Sequence, residues 1–289
     1  MDPRQATIHV TAHAKLNLGL EILRKRPDGF HDIRSVFATI SVADDITVTP
    51  STTIDVECIP AMTDKPEQNL AYKAAQAILA HPSATGRGAK ITLRKRIPAG
   101  GGLGGGSSDA AAVLMAIRSL YDLPISSEEL HALAASLGSD IPFFLTGGTA
   151  LVEGRGEIVT PVDIHIPYSV VVVFPHIHVD TAEAYQMIRP YERGSSDTLI
   201  EAVATIDRSG THVVNDFEQA VLSKHTILQH VKDVLLNHGA LYASMSGSGS
   251  TMFGLFTTVD NFASIRSALP GMDVLHCTFT SAQRRTSAP

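Results

Sequence analysis

The 289-residue sequence contains only two cysteines, and this scarcity excludes several classes of protein. Cys58 and Cys277 lie far apart, so they form neither a disulfide framework nor a metal-ligand spacing. We expect both to be small core residues in a reducing compartment. The start of the chain shows no basic segment followed by an apolar stretch, and apolar runs such as Val170–Phe174 are far too short to span a bilayer. These absences predict a cytoplasmic protein that does not enter a membrane.

The chain also lacks an excess of positive charge. Its 23 lysines and arginines are outnumbered by 29 aspartates and glutamates, giving a net charge of −6, which argues against a nucleic-acid or anionic-membrane partner. Internal repeats, heptads and low-complexity tracts are absent as well. The hydrophobic share of 44% and the charged share of 18% are ordinary for a globular protein. Any phosphate that this protein binds must therefore be held by a local device rather than by a basic face.

The patterning of the first part mixes helices and strands and predicts an α+β domain over residues 1–160. We expect strands at Thr7–Val10, Ile46–Val48 and Ala89–Arg94, and helices at Gln68–Ala80, Asp109–Leu120 and Ser127–Leu137. Ser107 or Ser108 is predicted to cap the second of these helices. The third has the capping box Ser126-x-x-Glu129 at its start and Gly138 at its end.

The pattern restarts near residue 160, which predicts a second domain over residues 161–289. Strands are expected at Val170–Phe174, Ala240–Met245, Thr251–Phe256 and Asp273–Phe279, with helices at Asp216–Ser223, Ile227–Asn237 and Asn261–Leu269. The order β, α, β, β, α, β is typical of a ferredoxin-like domain.

The most informative segment is Pro98–Ala111, which holds six glycines in the seven residues from Gly100 to Gly106. Without side chains, the backbone can approach a ligand closely and point several N–H groups at one place. A helix follows at once, and its free N–H groups and dipole favour an anion. Ser107 and Ser108 add hydroxyl groups that can also reach a metal. The segment therefore predicts a triphosphate cradle that needs no net positive charge.

Two other interpretations of this glycine-rich loop stay open on the residues alone. Gly100-x-Gly102-x-x-Gly105 satisfies the dinucleotide fingerprint, but a lone match is weak and the glycines are too dense. A Walker motif is excluded because the chain contains no Gly-Lys dipeptide. A flexible surface loop is the plainest alternative, although such loops rarely join a proline-terminated strand to a capped helix.

Three segments resemble motifs of the GHMP small-molecule kinases. The loop resembles that family's nucleotide pattern, Pro-x-x-x-Gly-Leu-Gly-x-x-Ser-Ser, while Ala14–Leu18 and Met245–Ser250 are similar to its first and third motifs. The resemblance implies two domains, a ribosomal-protein-like nucleotide domain and a ferredoxin-like one. It also implies ATP as a substrate, bound by Pro98, Ala99, Gly100, Gly101, Gly102, Leu103, Gly104, Gly105, Gly106, Ser107 and Ser108. The third glycine motif contributes Ser246, Gly247, Ser248 and Gly249.

Lys15 and Asp140 are the predicted catalytic pair. Asp140 precedes an apolar stretch in which a carboxylate is costly to bury unless it is paired, although a helix cap before Pro142 is the simpler explanation. Lys15 stands in a strand-like segment, where a lysine is often a surface residue. A cation beside a carboxylate keeps it ionised and stabilises phosphoryl charge, and in the family that the motifs resemble the matching residues are the catalytic pair.

The turn Arg26–Gly29 would display Phe30 and His31, an aromatic for stacking and a histidine for a base edge, unless Phe30 folds back into the core. Together with Leu137–Pro142 and Gly147–Glu157, this segment resembles the 4-diphosphocytidyl-2-C-methyl-D-erythritol kinases. That subfamily implies a cytosine stacked between Phe30 and Tyr185, with His31 at its edge and Asn17 at the substrate site. Phe30 departs from the subfamily, in which a tyrosine is common.

The resemblance implies transfer of the ATP γ-phosphate, with Mg²⁺ carried on the phosphates, to the tertiary hydroxyl at carbon 2 of the methylerythritol. The first alternative is another GHMP kinase that acts on homoserine, mevalonate or a sugar, for which a cytosine loop has no use. The second is a non-catalytic nucleotide-binding or RNA-associated module, which Lys15, Asp140 and the net charge of −6 oppose. The sequence carries no signal for an oligomeric state.

Overall fold

The computed structural model describes residues 6–63, 65–188, 195–206 and 213–282. The chain divides into two compact units: unit 1 comprises Met1–Ala14, Val42–Ile97 and Gly104–Thr146, and unit 2 comprises Lys15–Ser41, Pro98–Leu103 and Gly147–Pro289. Two long strands, β1 (Ile8–Lys25) and β2 (His31–Ser51), contribute residues to both units. The chain therefore passes between the two units several times. The single domain boundary near residue 160 stays a prediction.

The described residues of unit 1 include strands of a six-stranded sheet and four α-helices. Strand β3 (Ile54–Ile59) pairs in parallel with β4 (Gly88–Arg94), and β4 pairs antiparallel with the second half of β2. The helices are α1 (Leu70–Leu79), α2 (Gly105–Leu120), α3 (Ser127–Leu137) and α4 (Ile141–Phe144). Short 3₁₀ helices cover Pro66–Gln68 and Pro82–Ala84. Helices α1 and α2 pack on each other through alanine-rich faces, which allow a close approach of the two backbones.

Helix α3 forms as the sequence predicts. The Ser126 side chain accepts a hydrogen bond from the Glu129 N–H, and the Glu129 carboxylate accepts one from the Ser126 N–H, so the predicted capping box is confirmed. Helix α1 begins with a similar device, since the Asn69 side chain accepts a hydrogen bond from the Ala71 N–H at 2.9 Å. In both cases a local motif is sufficient to set the start of the helix.

Helix α2 begins four residues earlier than predicted, and the prediction that Ser107 or Ser108 caps it is wrong. The cap position belongs to Gly104, whose φ of +70° lies in the left-handed region that favours glycine. Both serines lie inside the helix, and the Ser108 hydroxyl donates to the His13 carbonyl at 2.7 Å. Packing of the first turn therefore outweighs the loss of about 1 kcal/mol that each glycine in a helix costs.

The described part of unit 2 contains a second sheet and five α-helices. Its strands are β7 (Ser169–Phe174), β8 (Tyr242–Met245), β9 (Met252–Phe256) and β10 (Asp273–Thr278). The helices are α5 (Thr181–Gln186), α6 (Ser196–Ala204), α7 (Glu218–Lys224), α8 (Thr226–Asn237) and α9 (Phe262–Ala268). The sheet is antiparallel in the order β10-β7-β9-β8, which confirms the predicted ferredoxin-like arrangement. Helix α7 begins at Glu218 rather than Asp216, because the Asp216 carboxylate instead accepts a hydrogen bond from the Ile22 N–H.

Two further strands of unit 2 lie beside the turn that carries Phe30 and His31. Strand β5 (Thr149–Gly154) pairs antiparallel with β2, placing Gly154 opposite Ile33, and then pairs with β6 (Ile158–Pro161). The β1–β2 turn (residues 26–30) and the β5–β6 turn (residues 155–157) consequently lie at the same end of these strands. In the parts of the chain that the structure describes, no helix has the length and apolar character needed to cross a membrane.

Candidate active site

The first half of the glycine-rich loop packs tightly against the third glycine motif within unit 2. A Cβ on Gly102 would lie 2.1 Å from the Ser246 carbonyl oxygen, and one on Gly101 would lie 2.3 Å from Thr251 Oγ1. The Ser246 hydroxyl donates to the Gly102 carbonyl at 2.9 Å, and the Thr251 N–H donates to the Gly101 carbonyl at 3.2 Å. Glycine is required at both positions because no side chain fits between the two segments.

The second half of the loop belongs to unit 1 and becomes the first turn of α2. The N–H groups at the start of a helix have no partner within the helix, so this turn presents donors suited to an anion. Gly105 fits closely here, since a Cβ would lie 3.0 Å from the Ile97 side chain. Of the two predicted serine ligands, Ser107 is half-buried and Ser108 is buried with its hydroxyl bonded to His13.

Lys15 and Asn17 lie on the same face of β1, as their spacing predicts. The Lys15 ammonium donates to Asn17 Oδ1 at 2.5 Å and lies 4.4 Å from the centroid of the Phe37 ring. The two side chains are almost wholly buried, with 3% and 1% exposed. A buried ammonium group is costly unless polar groups and an aromatic face compensate for lost water, and this arrangement supplies both.

The Lys15–Asn17 pair lies beside both glycine segments of unit 2. The Lys15 N–H donates to the Leu103 carbonyl at 3.0 Å, and the Ser246 hydroxyl lies 3.4 Å from Asn17 Oδ1. Asn17 is further fixed by Ser35, whose hydroxyl accepts a hydrogen bond from its amide at 3.1 Å. Unit 2 thus brings together the predicted cation, the predicted substrate-site asparagine, the first half of the phosphate loop and the third motif.

Asp140 belongs to unit 1, where it directly precedes α4. It is half-buried, whereas all four residues of α4 are buried. Its side chain makes no capping hydrogen bond to the helix, so the simple role of a helix cap does not explain it. Its pairing with Lys15 stays a prediction.

Three of the four predicted acceptor residues, Phe30, His31 and Tyr185, line one cavity of about 710 Å³ in unit 2, and Asn17 is not among the residues that line it. Phe30 is 51% exposed, so it does not fold back into the core. Tyr185 lies on α5 and packs edge-on against Phe217, with ring centroids 4.9 Å apart. His31 stacks on Tyr185, with centroids 4.6 Å apart and planes inclined by 11°, rather than lying at the edge of a gap between the aromatics. The three side chains converge as expected, but one face of Tyr185 is covered by His31.

The protonation of His31 suits recognition of a base. Burial, aided by the positive charge of Lys25, lowers the pKa of His31 below its ordinary value. The imidazole is therefore neutral near pH 7 and offers one donor and one acceptor. The turn before it is fixed by Asp28 and Asp32, which form ion pairs with Arg26 at 3.0 Å and 2.8 Å.

Sequence reasoning missed a buried charged cluster in unit 1, formed by Asp44, Lys95 and Asp109. The Lys95 ammonium bonds to both carboxylates, at 2.5 Å to Asp109, and the other Asp44 oxygen accepts the backbone N–H groups of Arg96 and Ile97. Burial, only partly offset by Lys95, raises the pKa of Asp109 to about 7. The available signal was the position of Asp109 directly before the apolar run Ala110–Met115, where a buried charge needs a partner.

A metal-binding cluster was not predicted, and among the described residues no group of three or more histidine, cysteine, aspartate or glutamate side chains is arranged to hold an ion. Mg²⁺ bound mainly by substrate phosphates and water is compatible with such a site, because this ion keeps several waters and needs few protein ligands. Ser107 is the half-buried hydroxyl nearest the start of α2 that such an ion could use.

In comparisons with known proteins, each of the two glycine motifs lies within a matched GHMP kinase domain. Residues 69–148 match the family described as GHMP kinases N terminal domain, and residues 195–272 match GHMP kinases C terminal. A 4-diphosphocytidyl-2-C-methyl-D-erythritol kinase of Geobacter metallireducens is 39% identical over 87% of this chain and 90% of its own length. One of Gloeobacter violaceus is 37% identical over 94% of both chains. The chain belongs to the 4-diphosphocytidyl-2-C-methyl-D-erythritol kinase family of GHMP kinases.

Solved structures support the same family. The crystal structure of a 4-(cytidine 5'-diphospho)-2C-methyl-D-erythritol kinase matches with a TM-score of 0.81 and 35% identity, covering 95% of this chain and all of that one. A homoserine kinase from Cytophaga hutchinsonii matches with a TM-score of 0.68 at 20% identity, covering 96% of both chains, and shows the shared fold alone. The two-domain GHMP kinase architecture and the kinase activity that uses ATP as phosphate donor are therefore established for this chain.

Proposed function

We propose that this kinase transfers the γ-phosphate of ATP to the 2-hydroxyl of 4-diphosphocytidyl-2-C-methyl-D-erythritol, a step of non-mevalonate isoprenoid synthesis in the cytoplasm. The observation that carries the choice of acceptor is the aromatic cavity of unit 2, in which Phe30, His31 and Tyr185 converge. Phe30 is 51% exposed at its turn and lines this cavity, so its ring is available to a ligand. A flat heteroaromatic base with donors and acceptors on its edge fits this combination of side chains.

ATP is proposed to bind through its phosphates at the glycine-rich loop, Gly100–Gly106, and at the first turn of α2. Backbone N–H groups and the helix dipole supply the attraction that the net charge of −6 does not. Mg²⁺, when bound to the phosphates, neutralises part of their charge and favours attack by a nucleophile. Ser107 is proposed as the hydroxyl that contacts this ion or the phosphates.

Asp140 is proposed as the group that orients and deprotonates the acceptor hydroxyl. The hydroxyl proton passes to the carboxylate, a bond forms between the acceptor oxygen and the γ-phosphorus, and the bond from that phosphorus to the β–γ bridging oxygen breaks. The buried Lys15 ammonium is proposed to stabilise the charge of the transferred phosphoryl group. Asn17 holds the lysine in place through the 2.5 Å hydrogen bond.

A substrate panel tests the acceptor assignment. The purified chain is incubated with ATP and Mg²⁺ and with the cytidylated methylerythritol, homoserine or mevalonate at equal concentrations, and ADP formation is followed. We expect kcat/KM for the cytidylated acceptor to exceed the others by several orders of magnitude, since only that acceptor has a base for the aromatic cavity. A preference for homoserine or mevalonate would show that the acceptor assignment is wrong and that the chain is a GHMP kinase of another specificity.

A further inference from the structure

The β5–β6 turn carries an arginine that the catalytic roles above leave unused. Gly154 and Gly156 have φ values of +70° and +126°, so this turn is built from conformations that favour glycine. The Gly156 N–H donates to the Glu153 carbonyl at 3.1 Å, and the Arg155 N–H donates to the Glu157 carboxylate at 2.6 Å. The backbone of Arg155 is therefore held firmly between the two glycines.

The Arg155 side chain lies over the ring of Phe30. Its guanidinium carbon is 4.9 Å from the ring centroid, within the range of a cation–π interaction. Both residues line the same cavity, and the Arg155 side chain is 30% exposed while Phe30 is 51% exposed. Arg155 thus covers part of an aromatic ring that the core does not bury.

The backbone of Phe30 is fixed, but its ring needs support from outside the turn. The Arg26 N–H donates to the Phe30 carbonyl at 2.8 Å, and the Phe30 N–H donates to the Asp28 carboxylate at 3.1 Å. These bonds set the direction of the side chain without restricting rotation of the exposed ring. A guanidinium group 4.9 Å from the ring centroid restricts that rotation, while the ring stays 51% exposed and accessible to a base.

We propose that Arg155 is a positioning residue for acceptor recognition, which holds the Phe30 ring in the orientation that stacks on the base; this inference rests on the proposed function. The charge of Arg155 is already partly matched, since its Nε lies 4.0 Å from the Glu157 carboxylate. That pairing favours a packing role over direct attraction of the acceptor's diphosphate. Arginine suits the task because its planar group stacks on rings, which a lysine ammonium does not do.

A double-mutant cycle tests the proposal with acceptor KM and with acceptor affinity from calorimetry. The variants are Phe30→Ala, Arg155→Gln, Arg155→Lys and the double variant Phe30→Ala/Arg155→Gln. Phe30→Ala should raise acceptor KM roughly five-fold to a hundred-fold, from the usual strength of base–aromatic stacking. Arg155→Gln should raise it about two-fold to five-fold, from the usual strength of an exposed cation–π contact. Arg155→Lys should fall between wild type and Arg155→Gln, and the KM for ATP should stay unchanged in all of them.

The double variant shows whether Arg155 affects acceptor binding through the Phe30 ring. If Arg155 acts through Phe30, Arg155→Gln has no further effect once the ring is gone. If Arg155→Gln raises acceptor KM equally in wild type and in Phe30→Ala, Arg155 binds the acceptor directly. If it raises KM in neither, Arg155 does not position the ring. Either result overturns the proposal. Arg266→Gln, at an exposed position of α9, is the matched charge control, and the melting temperature of each variant verifies folding. If the wild-type enzyme does not phosphorylate the cytidylated acceptor, the proposed function is wrong. If wild type does so, and acceptor KM rises in Phe30→Ala but not in Arg155→Gln, only the role of Arg155 is wrong.

Discussion

The imidazole of His31 lies stacked on the ring of Tyr185, with centroids 4.6 Å apart and planes nearly parallel at 11°. The histidine therefore covers a surface of the aromatic ring that the sequence assigns to a cytosine. Aromatic stacking of this kind is worth about 0.5–1.5 kcal/mol beyond the burial of area. An incoming base either stacks on the exposed side of this pair or takes the place of the imidazole, and in the second case His31 becomes free to reach the base edge.

The neutral state of His31 leads to a pH dependence of acceptor use. Because burial and Lys25 lower its pKa, the imidazole keeps its acceptor nitrogen at neutral pH and loses it on acidification. We expect kcat/KM for the acceptor to fall as the pH drops through the histidine pKa, while the KM for ATP stays flat. His31→Gln keeps a donor and an acceptor without titrating, so its profile should lose this acid limb. An acid limb that persists in His31→Gln would assign the titration to another group.

The close packing of Gly102 predicts a sharp contrast with Gly100. Both have left-handed φ values, +79° and +73°, so alanine strains the backbone similarly at each, by about 1 kcal/mol. A Cβ at Gly102 would lie 2.1 Å from the Ser246 carbonyl, whereas one at Gly100 would meet nothing within 4 Å. Gly102→Ala should therefore lower the melting temperature and the affinity for an ATP analogue much more than Gly100→Ala. Equal effects of the two substitutions would mean that the two glycine segments of unit 2 do not depend on this contact.

The buried carboxyl of Asp109 predicts how stability varies with pH. Its pKa is raised to about 7 in the folded chain, above the ordinary aspartate value of about 4. Between these values the folded state holds a proton that the unfolded state has lost, so this group's contribution to the free energy of unfolding falls as the pH rises through the window. The stability advantage of wild type over Asp109→Asn should therefore shrink from about pH 4 to about pH 7, as measured by urea denaturation. An advantage that grows with pH would mean that Lys95 keeps the carboxyl ionised.

The proposed base is tested by Asp140→Asn, which keeps the shape and removes the charge. We expect kcat to fall roughly 10²- to 10⁴-fold, the usual contribution of a general base, with little change in affinity for an ATP analogue. Asp163→Asn, in an exposed position after β6, serves as the control for the loss of one negative charge. A rate for Asp140→Asn close to that of the control would remove Asp140 from the chemical step.

The sequence was informative wherever a local pattern decides the structure. The capping box of Ser126 and Glu129 fixed the start of α3, and the ferredoxin-like order of the second sheet followed from alternating apolar strands and helices. The shared face of Lys15 and Asn17 followed from the two-residue period of a strand. The capping box and the shared face involve residues that are close in the chain, and the sheet order followed from the succession of strands and helices along it.

Features that depend on distant segments were not predictable in the same way. Helix α2 takes in the serines expected to cap it, because contacts of its first turn with Ile97 and His13 outweigh local preference. The Asp44–Lys95 ion pair joins residues 51 positions apart. Arg155 meets Phe30 only because β2 and β5 are paired so that their turns lie together. Nothing within a few residues of these side chains indicates their partners.

Phosphorus NMR of the reaction product tests most directly the claim that the chain phosphorylates the 2-hydroxyl of the cytidylated methylerythritol. The carbon that bears this hydroxyl carries no hydrogen, so a phosphate placed there shows a monoester signal without splitting by a neighbouring proton. Wild type with ATP and Mg²⁺ should produce one new unsplit monoester resonance, with the diphosphate resonances of the acceptor retained. A new resonance split by vicinal protons, or none while another GHMP acceptor is consumed, would contradict the proposed reaction.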